Sequence, residues 1–168
     1  MKLDIRNERA GDAGQIAAVT TAAFEKAEHT SHTEHFIVDA LRKAGQLTVS
    51  LVAVADDQMV GHVAISPVSV STGAEGWYGL GPLSVLPDWQ GRGIGSALMK
   101  AALAELQRQG AAGCVVLGDP GFYGRFGFVA RTGLELPGVP QEYFQGVSFR
   151  GGFPVGSVQY HPAFDATE

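Results

Sequence analysis

Apolar and polar positions along this chain switch between two periods. Near the start Leu3 and Ile5 alternate with Asp4 and Arg6, the period of two that predicts a strand with one buried face. From Asp12 the spacing lengthens. Ile16, Val19 and Ala23 fall on one helical face, with Asp12 placed to cap the helix and Gln15 three residues on. A second helix is predicted from the capping-box sequence Ser31-His32-Thr33-Glu34, with Phe36, Ile37, Ala40 and Leu41 facing inward and Gly45 ending it.

The period then returns to two. The Val- and Ile-rich runs Leu47 to Ala55 and Met59 to Val70 flank the polar Asp56-Asp57-Gln58 and predict an antiparallel hairpin. Trp77 to Val85 predicts the next strand, which empties through a glycine-rich segment into a helix where Ile94, Leu98, Ala102 and Leu106 recur every four residues. Ala111 to Leu117 reads as a short buried strand, Phe122 to Arg125 as a short helix, and Phe126-Gly127-Phe128-Val129 as a further strand. Gly133 to Glu168 carries Pro137, Pro140, Gly151, Gly152, Pro154 and Pro162, which predicts loops and at most one added strand around Val158-Gln159-Tyr160. Strand, two helices, three antiparallel strands, helix, strand, short helix, strand is an α/β order with a mixed sheet flanked by helices.

Composition narrows the setting. At 168 residues the chain suits a single domain spanning 1–168, with a core at about 2–130 and an extension at about 131–168. No apolar run approaches the length of a membrane helix, and the opening Met1-Lys2-Leu3-Asp4-Ile5-Arg6 lacks the apolar stretch of a secretory signal. The only cysteine, Cys114, lies in the apolar Ala111-Ala112-Gly113-Cys114-Val115-Val116-Leu117 and reads as a structural thiol, in keeping with a reducing cytoplasm. With 12 Lys and Arg against 17 Asp and Glu, the formal charge of −5 argues against general binding of nucleic acid.

The chemistry concentrates where the third strand of the antiparallel set meets the long helix, in Trp89-Gln90-Gly91-Arg92-Gly93-Ile94-Gly95-Ser96. Glycines keep side chains off the backbone, and the first N–H groups of a helix lack internal partners, so several donors converge on one point. Phosphate oxygens suit such a cradle, and the positive end of the helix dipole favours them. Arg92 could add charge and Ser96 a hydroxyl. A P-loop is excluded, because no Gly-Lys-Ser/Thr follows. A dinucleotide-binding turn fits less well, because position 96 is Ser and four residues separate the strand from the first glycine, although Asp119 stands where a ribose-binding acid would. A glycine-rich turn without a ligand is the plain alternative.

Gln90, Gly93 and Gly95, set between a strand and a helix, resemble the acyl-CoA loop of the GNAT superfamily of N-acetyltransferases. A second stretch, Phe122-Tyr123-Gly124-Arg125-Phe126-Gly127-Phe128, is similar to that family's Tyr-x-x-x-Gly-Phe ending. The resemblance implies a twisted mixed sheet whose fourth and fifth strands splay to admit acetyl-CoA, which serves as acyl donor to a primary amine that attacks directly in a ternary complex. It implies that Leu83, Ser84 and Val85 run beside the pantetheine arm, with an N–H near Val85 facing the thioester carbonyl. Gln90, Gly91, Arg92, Gly93, Ile94, Gly95 and Ser96 would hold the pyrophosphate, Phe126 would border the cofactor, and Tyr123 would protonate the departing thiolate.

A phenol with its pKa near ~10 can donate that proton while staying neutral at cellular pH; a packing role is the plain alternative for Tyr123. The family often places a glutamate on the fourth strand as base, and Trp77 to Val85 holds no acid. Glu25, Glu28, His29, His32, His35, Asp119, Glu142 and His161 are the alternatives, each with a plainer solvated or capping role, and a water relay would dispense with a base. His62, within Val60-Gly61-His62-Val63, reads as the polar face of a strand. His29 and His32 have no evident third ligand, so no metal is expected. The acceptor is a small-molecule or peptide amine, and a homodimer is compatible with the family. An acyl-CoA-binding module without turnover is the rival reading, and a nucleotide-binding redox protein the third.

Overall fold

The computed structural model describes residues 1–28 and 30–168. Among them, β1 (Leu3–Asn7), β2 (Val49–Ala55), β3 (Gln58–Val70), β4 (Trp77–Val85), β5 (Gly113–Leu117) and β7 (Phe144–Ser148) follow one another across a sheet in the order β1-β2-β3-β4-β5-β7. Two more strands, β6 (Leu134–Glu135) and β8 (Gly156–Tyr160), extend it: β8 pairs with the far end of β3, and β6 with β8. β4 and β5 are parallel, as are β6 and β8, and the other pairs are antiparallel. The helices are α1 (Ala13–Phe24), α2 (Glu34–Lys43), α3 (Ile94–Arg108) and the single turn α4 (Pro120–Tyr123).

Period-two alternation sorts the sheet's two faces. Leu51 and Ala53 point to the α3 side, where they meet Val63, Leu80, Ile94, Leu98, Ala102, Leu106 and Val116. Val52, between them, joins Ile16 and Val19 of α1 and Val38 of α2 on the other side. Leu98 is 0% exposed, and burying a leucine is worth about 1.5–3 kcal/mol. The four-residue repeat of α3 therefore anchors the helix whose first turn forms the glycine loop.

Several local expectations are corrected. Asp12 precedes α1, yet its carboxylate turns backward, accepting from Arg9 N–H and Arg6 Nη1, each at 2.7 Å; a guanidinium one strand away outcompetes the helix's own N–H groups. At α2, Ser31 Oγ accepts from Thr33 N–H and Glu34 is bonded by Thr30, so the helix starts at Glu34 without a side-chain cap. Its end follows expectation: Gly45, with φ 70°, donates to Arg42 C=O while Gln46 N–H reaches Leu41 C=O. The hairpin turn is only Asp56-Asp57, both with positive φ, the twist that suits a two-residue connection.

The largest correction concerns the strand beyond β5. Phe126 to Val129 does not form one: Gly127 sits at φ 93°, and Val129 makes only an isolated bridge to Gly146. The place beside β5 goes instead to β7, in register from Gly113↔Ser148 to Leu117↔Phe144. The tail thus supplies β6, β7 and β8 rather than at most one strand.

His62 is not on a polar face. It is 0% exposed and joins a chain that ties α2, β2 and β3 to Glu8, the residue after β1. Arg42 Nε and Nη2 donate to Glu8 at 2.7 and 2.9 Å, Ser50 Oγ donates to Glu8 Oε1 at 2.6 Å, and Ser50 Oγ lies 2.8 Å from His62 Nε2. A carboxylate only accepts, so the Ser50 hydroxyl is spent on Glu8 and its oxygen must accept from Nε2–H. His62 is therefore the neutral Nε2–H tautomer. Burial pushes its pKa down to about 4 from 6.5, so between those values the unfolded chain binds the extra proton and the fold does not. The His62 contribution to stability is full above about pH 6.5 and falls by about 3 kcal/mol on acidification to about pH 4. Denaturant unfolding across that range should show the slope, and a His62→Gln variant should flatten it; an equal slope in both would place its origin elsewhere.

Candidate active site

The ladder between β4 and β5 runs from Trp77↔Gly113 to Leu80↔Val116 and stops, leaving Gly81 to Val85 without a partner on that side. On the other side, Val63↔Leu83 is followed by Ile65↔Leu80, three steps along β4 against two along β3. An extra residue at Gly81-Pro82 makes a bulge, which bends the strand where the two strands part. Leu86 N–H donates to Val60 C=O at 2.8 Å. Antiparallel alternation then puts the Ser84 N–H and C=O in the β3 ladder and turns those of Leu83 and Val85 toward the gap. The Val85 carbonyl is met there by Gln90 Nε2 at 3.1 Å.

The strand leads to the glycine loop. Gly91 and Gly93 take φ 76° and 81°, left-handed values that other residues adopt at a cost. Ala97 N–H makes the first helical bond of α3, to Gly93 C=O at 3.0 Å, so the N–H groups of Ile94, Gly95 and Ser96 precede the helical ladder and aim out of its positive end. A side chain at Gly95 would stand 3.7 Å from Phe122 and 3.9 Å from Val85, between the two banks of a cleft of about 440 Å³. Leu83, Val85, Gln90, Gly91, Gly93, Ile94, Gly95 and Ser96 line it, joined by Trp89, Phe122 and Arg125. The free donors, the positive helix end and the missing Cβ suit a diphosphate joined to a slender arm lying along Leu83 and Val85.

The other bank starts at the end of β5. Asp119 caps α4, Oδ1 accepting from Gly121 N–H at 2.9 Å, and the turn folds Tyr123 back over Gly118, where a Cβ would stand 2.6 Å from the ring. Phe122 and Phe128 hold the ring edge-on at 5.0 and 6.1 Å. Burial first, then the Asp119 carboxylate, push the phenol up to about 12.

An acetyltransferase (GNAT) domain model matches residues 46–130, from before β2 to just past the Phe126–Val129 segment. The chain belongs to the GNAT family. It is 41% identical to the uncharacterized N-acetyltransferase YhbS of Escherichia coli K12 over 96% of this chain and 98% of that protein. A GNAT family acetyltransferase from Brucella melitensis, solved in complex with acetyl-CoA, superposes with a TM-score of 0.87 at 49% identity, covering 98% of this chain and 99% of that one. The E. coli YhbS structure, in complex with CoA, gives 0.86 at 33% identity over 100% and 94%.

Within this GNAT fold the sequence-derived residues separate. Ser84 turns its backbone into the β3 ladder and its side chain into the interior, 1% exposed, so it does not border the gap as expected. Arg92 is not among the residues that line the cleft; its guanidinium lies over Trp89, 4.7 Å from the ring centroid. Phe126 lines a neighbouring groove rather than the cleft, and Tyr123 is not among the residues that line the cleft but meets one of them, Phe122, edge-on at 5.0 Å. Trp89, Phe122 and Arg125 escaped the sequence reading; only the adjacency of Phe122 and Arg125 to Tyr123 hinted at them. Of the residues weighed as bases, Asp119 caps α4, His161 Nδ1 accepts from Ala163 N–H at 3.0 Å, Glu25, Glu28, His32 and Glu142 are exposed, and His35 stacks on Phe36. His29 lies outside the described residues. Among the described residues no three His, Cys, Asp or Glu side chains stand together as metal ligands, and no helix is long and apolar enough to cross a membrane.

Proposed function

We propose that the protein is an acetyl-CoA-dependent N-acetyltransferase in which a primary amine of a small molecule or peptide attacks the thioester directly, in a cytoplasmic setting. The observation that carries this reading is the parting of β4 from β5, with the backbone of Leu83 and Val85 facing a cleft that ends on the N–H groups of Ile94, Gly95 and Ser96.

Leu83 pairs with the amides of the pantetheine arm as a neighbouring strand would. The N–H groups at the start of α3 hold the pyrophosphate. Val85 N–H donates to the carbonyl oxygen as the amine nitrogen bonds to its carbon, meeting charge where it develops. When the carbon–sulfur bond breaks, Tyr123 gives its phenolic proton to the thiolate and recovers one from solvent, while the amine's surplus proton leaves to water. β4 carries no acid and the exposed candidates stand on loops and turns, so a water relay fits better than a dedicated base.

Calorimetric titration with acetyl-CoA and a thiol-release assay over a panel of primary amines test this together. Binding with amine-dependent release of CoA is expected. Binding without release for any amine would favour a module that holds acyl-CoA without turnover, and no binding would sink the reading.

A further inference from the structure

β5 is an inner strand of the sheet, with β4 on one side and β7 on the other, yet its last residue, Leu117, is 46% exposed. Among the described residues, the other exposed large hydrophobics, Met1, Val129, Tyr143 and Val155, lie outside the strands. We propose that Leu117 and the ring of Tyr160 form a wall of the acceptor site, and that the acceptor is a primary amine carried on an apolar alkyl or aryl body. The proposal rests on the reading of the protein as an acetyltransferase and names the substrate class of that same site.

Strand register puts the two side chains on one face. Cys114 and Val116 point to the α3 side, while Val115 joins Trp77 and Phe144 on the opposite one. Leu117 follows Val116 and stands across from Phe144, so it belongs to the face opposite α3. Phe144 is covered, 1% exposed. Leu117 is not, because the ladder to β4 ends one residue earlier, at Leu80↔Val116. Tyr160 packs against the cluster of Val115, and its ring runs over Gly79, the partner of Val115, where a Cβ would collide with it. Phe164 backs that ring at 4.9 Å. Burial first, then Cys114 and Tyr123, push the Tyr160 phenol up, so its tip lies within electrostatic reach of the Tyr123 phenol.

The donor leaves this face free. Leu83 and Val85 line the cleft together with the first residues of α3, so the pantetheine arm and the departing sulfur occupy the α3 side, and an amine reaches the carbonyl carbon from the other face, past Leu117. Charge agrees with an amine. From Ala111 to Gly124 the chain has no Lys or Arg and one acid, Asp119, exposed two residues beyond Leu117. Such a mouth attracts a cation and repels an acidic or phosphorylated acceptor. Once the amine is seated, an apolar body beside the reacting nitrogen removes Leu117 and the Tyr160 ring from water, a gain that grows with every methylene buried.

The test is the thiol-release assay with acetyl-CoA and the n-alkylamines from ethylamine to hexylamine, with phenethylamine, ethanolamine and spermidine as further probes. The n-alkylamines share one basicity, so apolar area is what varies among them. In the wild type kcat/KM should rise about 4-fold per added methylene until the wall is covered, and phenethylamine should be turned over faster than ethanolamine or spermidine. Leu117→Thr, which keeps a strand-forming residue at an exposed position, should cut the rise to about 2-fold per methylene or less, with circular dichroism and calorimetric affinity for acetyl-CoA matching the wild type. A flat wild-type series, or faster turnover of ethanolamine or spermidine, would overturn the proposal without recourse to any variant. So would an unaltered rise in folded Leu117→Thr, which would put the apolar body against another wall. Release of CoA with none of these amines, from protein that binds acetyl-CoA, would defeat the acetyltransferase reading on which the proposal rests.

Discussion

A Tyr123→Phe variant is expected to bind acetyl-CoA as tightly as the wild type and to turn it over about 10²- to 10⁴-fold more slowly, the usual contribution of one positioned acid. The two effects separate because the ring and the hydroxyl have different tasks. The ring fills the space over Gly118 and meets Phe122 and Phe128 edge-on, and phenylalanine repeats all of this, so melting temperature and affinity should stay put. Only the proton is lost. With its pKa pushed up to about 12, the phenol is protonated throughout the working range; the raised value keeps the acid form available as pH rises. The wild-type rate should therefore show no alkaline fall from Tyr123 near pH 10, where an ordinary phenol would titrate. A variant with unaltered kcat would mean that the thiolate departs without this proton, and one with lost affinity would mean that the hydroxyl is a binding group.

The parts of this site that the sequence reveals are those that one local pattern suffices to build. The repeat Ile94, Leu98, Ala102, Leu106 is buried over α3 as read, because a helix with one greasy face has one way to lie on a sheet. β4 has its predicted ends, and the glycines that take positive φ stand where the chain must turn from strand to helix. What failed depends on partners distant in sequence. Phe126 to Val129 alternates like a strand, but Gly127 turns it aside, and the vacated edge of β5 is claimed by Phe144-Gln145-Gly146-Val147-Ser148, a segment too polar to announce itself. Gln145 is tolerated in that strand, 2% exposed, because its Nε2 donates to Gly118 C=O at 3.1 Å. Gly146 is needed because a Cβ there would press to 3.0 Å from Phe153.

The candidate site follows the same division. Leu83 and Val85 alternate with Ser84, so either Ser84 or the other two had to turn from the gap; which set it was depended on the register with β3, fixed by the bulge at Gly81-Pro82. Arg92 and Arg125 look alike in the sequence, both basic residues near a motif. One stacks on Trp89 and the other between Phe122 and Phe126, a difference made by aromatic rings on separate elements.

Gly95→Val is expected to leave the fold intact and weaken acetyl-CoA binding at least about 10- to 100-fold, the cost of forcing extra methyl groups into a filled space. Unlike Gly91 and Gly93, this glycine lies inside α3 with an ordinary helical backbone and not a left-handed φ. Its need for glycine is therefore not conformational, and replacing glycine within a helix does not weaken the helix. Nor do protein atoms exclude a side chain, since the nearest approaches are 3.7 Å to Phe122 and 3.9 Å to Val85, ordinary contact distances. What a valine would occupy is the space between the banks of the cleft, where the proposed site would bring the diphosphate to the α3 N–H groups. Gly93→Val offers the contrast: nothing lies within 4 Å of its Cβ, but φ 81° forces a β-branched residue into a left-handed conformation, so its melting temperature should drop along with its affinity. If Gly95→Val melts like the wild type and still binds acetyl-CoA with full affinity, the ligand does not pass between Val85 and Phe122, and the cradle at the start of α3 must be approached from its outer side.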